Sequence, residues 1–306
     1  MDGAAVESPG PARGRRLVAW ARNPRGRPRF LALVTVLYLL WSIVPVLIAI
    51  RFSFNEGRSR SSAQGWSLRW YFDDPDLSVW HDPDLQGALV QSLKLAGLAI
   101  AIAVPLGVAL AIGISRWRGR ISRPASAVAL STLVTPEIVM GSALFLVFVN
   151  LFTFVDLGTV AQVIGHVTFS IAFVLVILRS RLISIGRDYE EAAMDLGASP
   201  AQSLRLALLP LLWPAVVASV IVVFAISMDD FVISAFLSSG STTDTVPVRI
   251  YSNARGAPTP ALNALASLTL FLTIAAVVVV GAIWWAIRRS HGQSGSTLDE
   301  LAKLEA

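Results

Sequence analysis

Long stretches of this chain carry no charged side chain, and they constrain it more than any other feature. Arg29 and Arg51 bracket 21 uncharged residues, Phe30 to Ile50, and Lys94 and Arg116 bracket another 21, Leu95 to Ser115. About 20 apolar residues cross a bilayer as a helix. Composition agrees: 55% of the 306 residues are hydrophobic and 15% charged, where a soluble domain has about a quarter charged. The scarcity is clustered rather than uniform, which excludes an ordinary soluble enzyme, a disordered tail protein and a nucleic-acid-binding module. With no cysteine there is no disulfide framework, Cys-based metal site or thiol nucleophile.

Six spans are expected, near 30–50, 95–115, 126–150, 159–178, 214–237 and 262–287. The third is interrupted by Pro136-Glu137, the fourth contains His166, and the fifth carries Asp229 and Asp230. The Arg and Lys residues outside the spans set the orientation. With the N-terminus inside, 18 of the 25 basic residues fall on the inner side and 7 on the outer. Both termini are then cytoplasmic, and the high isoelectric point is this bias summed over the chain. The first apolar run is longer than a signal-peptide core and lacks a small-x-small cleavage site, so it reads as an uncleaved anchor. The arm 1–29 is rich in Arg, Pro and Gly and is expected to be disordered. Residues 30–287 make the membrane domain and 288–306 a cytoplasmic tail. Neither a short repeat nor an inverted repeat is evident.

The loop 179–213 reads as helix, turn, helix. Asp188 with Glu191 has capping-box spacing, and acids crowd the first turn where the helix dipole favours them. Gly197 suits the left-handed position after a helix. Ser199 suits the next N-cap, with Pro200 at the first helical position and Gln202 reaching back. A capped connector on the membrane surface accounts for those residues. It leaves unexplained a compact excursion with adjacent Ala192 and Ala193, small residues that permit close backbone approach by another protein.

Glu191-Ala192-Ala193, Gly197 and Leu209-Pro210 resemble the EAA loop of ABC importer permeases in residues and spacing. The family usually has a bulky aliphatic residue three before that proline; here it is Ala207. The stretches 227–234, 246–252 and 260–266 closely resemble the second permease subunit of bacterial spermidine/putrescine importers, and the likeness extends from the first span to the sixth. It implies an all-α, six-span type I importer permease of the bacterial inner membrane. Implied partners are a homologous second permease, a cytoplasmic ATPase dimer docked on the EAA helix, an extracytoplasmic solute-binding protein, and a polyamine cargo. Opines or aminoethylphosphonate are alternative cargoes within the same architecture.

Asp229 and Asp230 lie about 15 residues beyond Pro214, or roughly 23 Å at the helical rise. Glu137 lies at a similar depth from Arg123. An Asp at a helix centre costs about 2.5–3.5 kcal/mol on the insertion scale, so these carboxylates should face the bundle interior or water. One reading is structural: capped helix ends, or carboxylates bonded to backbone groups freed beside Pro136. The other is a cation-attracting path for a polyamine. His166 is expected to pack or to bond a helix end. Trp66, Trp70 and Trp80 are expected as interfacial aromatics, with stacking on a substrate as the alternative. No GxxxxGK[ST] loop is present, so ATP hydrolysis would belong to a partner. No catalytic, metal or cofactor residues are expected in a permease; a membrane enzyme using Glu137, Asp229 and Asp230 is the rival of a different class.

Overall fold

The computed structural model describes residues 29–59, 62–116, 122–256 and 259–292. Among them the secondary structure is helical, with no strand. In order the helices are α1 (Arg29–Ser53), α2 (Pro83–Arg116), α3 (Ser122–Val134), α4 (Glu137–Asn150), α5 (Thr159–Ile185), α6 (Asp188–Asp195), α7 (Pro200–Ser203), α8 (Leu209–Asp229), α9 (Val232–Leu237), α10 (Val246–Arg255) and α11 (Pro260–Gly292). Five helical stretches in the described residues are long and apolar enough to cross a membrane, and a sixth results if the bent pair α3–α4 is one span. The arm 1–28 and the tail from 293 lie outside the described residues.

The chain divides into two compact units, up to Ala49 and from Ile50 onward. In the first, α1 is apolar on every side, which suits lipid rather than one buried face. In the second, α2, α5 and α8 share one core: Ala99, Val104 and Ala111 meet Val174, Leu175, Leu178 and Leu182, with Leu212 and Val223 from α8. Small residues make the close approach possible. A Cβ on Gly107 would come within 2.5 Å of the Val174 side chain. Lipid is as apolar as leucine, so packing and interhelical hydrogen bonds hold such helices together. Here Gln91 of α2 donates to Gln162 of α5 at 2.8 Å, and Gln162 donates to the Ser234 carbonyl at 3.0 Å and the Thr243 carbonyl at 2.9 Å.

Helix ends depart from the sequence reading for identifiable reasons. The second span begins at Pro83, not 95. Asp82 accepts from the Asp84 N–H at 2.9 Å and the Leu85 N–H at 3.3 Å, an N-cap followed by proline at the first position. The fourth span runs to Ile185 and so contains Arg179 and Arg181. The interruption at Pro136 is a turn of 111° between α3 and α4. Proline removes a donor and pushes the residue before it toward extended backbone; α4 restarts with Glu137 in its first turn.

The segment between α1 and α2 packs Trp70, Tyr71 and Val79 into a second core with Leu85 and Ala88 of α2, Val246 of α10 and Leu262 and Leu265 of α11. Trp70 is fully buried and donates Nε1–H to the Asn55 carbonyl at 2.6 Å, so it is a core residue rather than an interfacial one. Trp66 and Trp80 stay exposed, and the Arg51 guanidinium lies 3.9 Å from the Trp66 ring centroid. Burial raises the Asp74 carboxyl pKa, but the Asp76 and Leu77 N–H groups and the Arg69 guanidinium outweigh it and hold the pKa below the ordinary value. A lowered folded-state pKa means that ionised Asp74 stabilises this segment fully above the unfolded value and stops doing so as pH falls through the folded one. Trp fluorescence of the wild-type chain is therefore expected to report opening of the segment only below about pH 4. An Asp74→Ala variant is expected to show the loosened signal already at neutral pH.

Candidate functional site

Two regions hold the residues singled out by the sequence other than Glu137, one at each end of α8. The first is the turn formed by α6 and α7. Helix α6 ends in two bonds: the Gly197 N–H donates to the Met194 carbonyl at 2.9 Å and the Ala198 N–H to the Ala193 carbonyl at 3.0 Å. This is the Schellman pairing, and it places Gly197 at φ +92°. Ser199 then caps α7, with Gln202 bonding back to the Ser199 N–H and Pro200 following the cap. The Asp188–Glu191 capping box does not form. Arg187 stands at the N-cap and makes no side-chain cap bond. Its guanidinium instead reaches the carbonyls of Ser115 and Arg116 at the end of α2.

The turn is clamped from two sides. Arg116 pairs with Glu190 at 2.7 Å and donates to the Gly186 carbonyl at 2.6 Å. Ser203 of α7 donates to the Glu190 carbonyl at 3.0 Å. Glu190 is thus committed inward while its neighbour Glu191 is exposed, as are Ala192 and Gly197, with Ala193 half-buried. No residue of α6 is buried. After α7 the helix widens: the Leu209 N–H donates to the Leu204 carbonyl, five residues back. Pro210, lacking an N–H, follows directly. Leu209 is half-buried and Pro210 exposed, while Leu208 beside them is in the core.

The second region is the far end of α8. The fifth span does not run to 237: α8 stops at Asp229, and Asp230 has extended backbone with ψ 119°. The 21 residues of α8 are about 31 Å long, the full thickness of a hydrocarbon core. The two aspartates therefore stand at a helix terminus rather than three-quarters of the way through, which lowers the insertion cost inferred from Pro214.

Adjacent in sequence, the two carboxylates have different surroundings. Asp230 accepts from the Ser234 N–H and Ser234 Oγ, both at 2.8 Å, and caps the start of α9. His166 Nε2 lies 3.3 Å from Asp230 and 3.0 Å from Ser234 Oγ, and its Nδ1 is 2.7 Å from Ser227 Oγ. His166 therefore bonds a helix end and joins α5 to both sides of the break. Losing the buried acceptor should cost about 3 kcal/mol. Asp230→Ala is accordingly expected to lower membrane abundance and the thermal midpoint, and Asp230→Asn much less, read by size-exclusion and thermal unfolding in detergent.

Asp229 is exposed and pairs with no cation among the described residues. It borders a cleft of about 700 Å³ between the end of α8, α10 and α11, lined also by Met228, Phe231, Tyr251, Thr269 and Thr273. The Phe231 and Tyr251 rings are 4.7 Å apart between centroids. The pairing is not legible in the sequence, because its members lie 20 positions apart. Arg249 fixes α10 from behind, reaching Asp84 of α2 at 3.3 Å and Asp244 at 3.6 Å. Glu137 is exposed on the first turn of α4, outside this cleft.

Comparison with known proteins places this architecture. Residues 103–289 match the family described as binding-protein-dependent transport system inner membrane component. The putrescine transport system permease protein PotI of Escherichia coli K12 is 35% identical over 255 residues, covering 81% of this chain and 87% of that protein. The spermidine/putrescine transport system permease protein PotC of Haemophilus influenzae is 35% identical over 236 residues, covering 77% and 89%. A chain of a bacterial ABC transporter that imports the acidic polysaccharide alginate superposes with a TM-score of 0.68 at 13% identity, over 88% of this chain and 96% of that one; that likeness concerns the fold. The chain belongs to the binding-protein-dependent transport system inner membrane component family and is a permease subunit of an ABC importer.

Proposed function

We propose that this subunit moves polyamines inward, with Asp229 offering the first fixed negative charge on the permease path. The observation that carries this reading is an exposed carboxylate, unpaired among the described residues, at the edge of a cleft that also holds the Phe231–Tyr251 pair. A carboxylate attracts an ammonium over distance, and aromatic faces attract it on contact. Relatives whose names specify putrescine or spermidine support the cargo. Glu137 is a further path carboxylate in this scheme, while Asp230 supports the helix break that sets Asp229 in place.

The motor is a partner ATPase dimer docking on the exposed face of Glu191, Ala192, Ala193 and Gly197, with Leu209 and Pro210 passing its motion into α8. A homologous second permease completes the pore, an extracytoplasmic binding protein delivers cargo, and both termini face the cytoplasm. The test is reconstitution with the paired permease, ATPase and binding protein. Putrescine or spermidine should stimulate ATP hydrolysis and enter the vesicle; stimulation by a neutral solute alone would overturn the cargo. A reporter fused after Arg205 should read cytoplasmic and one after Ser241 external. The reverse would remove the docking role, since ATP is on the inner side.

A further inference from the structure

A second cleft, of about 500 Å³, opens between α2, α3 and α5 at the end of the spans that carries the α6–α7 turn. Its walls include Ile114, Leu130, Leu182 and Ile183, and its polar groups include Arg116 and Arg179. Arg179 lies six residues before the end of α5, or about 9 Å inside it. Its Nη1 donates to Ser126 Oγ at 2.6 Å, and no carboxylate of the described residues pairs with it. The other arginine of the cleft differs, since Glu190 meets the Arg116 charge. Arg116 Nε and Ser115 Oγ are nevertheless buried without a hydrogen-bond partner among the described residues.

A guanidinium has five N–H donors and stays charged. Near the inner end of a span it pairs with an anion or reaches the interface. The cleft combines an unmatched cation with apolar walls, so its complement is an amphiphile: an anionic head joined to a hydrocarbon chain. The 18-to-7 bias of basic residues puts this end in the leaflet where anionic lipids concentrate. We propose that the cleft is a binding site for an anionic phospholipid. Its phosphate accepts from Arg179, with the buried donors of Ser115 and Arg116 beside it, and one acyl chain lies along Ile114, Leu130, Leu182 and Ile183. Because Arg116 also holds Glu190, the bound headgroup lies against the anchor of the exposed turn.

The full-length subunit in mild detergent, analysed by native mass spectrometry, tests this. Phosphatidylglycerol should be retained about tenfold more than phosphatidylcholine of the same chains. Arg179→Gln should reduce phosphatidylglycerol to the phosphatidylcholine level, and Arg179→Lys should keep part of the preference. Ala127 is an exposed wall residue; Ala127→Phe fills the cleft without altering charge and should also lower retention. If Arg179→Gln fails to insert, Ala127→Phe decides alone. Equal retention of the two lipids by the wild type overturns the proposal, as does undiminished phosphatidylglycerol binding in these variants. Displacement of phosphatidylglycerol by millimolar inorganic phosphate would assign the site to free phosphate and overturn the lipid.

Discussion

Gly197→Val is expected to cut ATP-driven transport at least tenfold while the subunit still inserts in the membrane. Gly197 sits at φ +92° with nothing within 4 Å of the position a Cβ would take, so the substitution meets no neighbour and strains only the backbone. A β-branched residue there costs about 1–3 kcal/mol. That is too little to unfold the helices on either side but enough to displace a two-bond turn. The bonds at risk run to the carbonyls of Met194 and Ala193, within and beside the proposed docking face. Substrate-stimulated ATP hydrolysis in the reconstituted complex should fall at least tenfold. Gly197→Asn should fall less, because asparagine tolerates positive φ. Unchanged hydrolysis and uptake in Gly197→Val would remove the coupling role from this turn.

Asp229→Asn should lower polyamine uptake by roughly fivefold to several hundredfold. The variant keeps size and most hydrogen bonding and removes one charge, worth about 1–4 kcal/mol to a close ammonium in a partly wet path. Insertion should not suffer, because removing a charge at a span lowers its cost. The neighbouring position separates charge from structure. Asp230→Asn should change abundance more than uptake per molecule, since that carboxylate is spent on Ser234 and His166. Glu137→Gln should fall between them. The measurement is uptake of radiolabelled putrescine normalised to subunit in the membrane. Near-wild-type rates in both Asp229→Asn and Glu137→Gln would leave the cation path without support.

What the sequence determined by itself is local. Membrane spans follow from uncharged runs because the cost of a charge in lipid is paid residue by residue. The α6–α7 turn is legible because a cap links residues three to five apart: Ser199 with Gln202, and Gly197 with the last turn before it. Tertiary structure decided the rest. Asp229 and Asp230 are indistinguishable in sequence, and they part only because α8 ends between them and α5 brings His166 to one side. Trp70 reads like Trp66 and Trp80, yet it alone of the three is buried, in a core with Ala88 of α2, Val246 of α10 and Leu265 of α11. Arg187 occupies the N-cap of α6 with a side chain that can only donate, and it finds its acceptors on α2, some 70 positions away. In each case the outcome rests on which distant group arrives within contact, and that depends on helix packing rather than on any property of the segment itself.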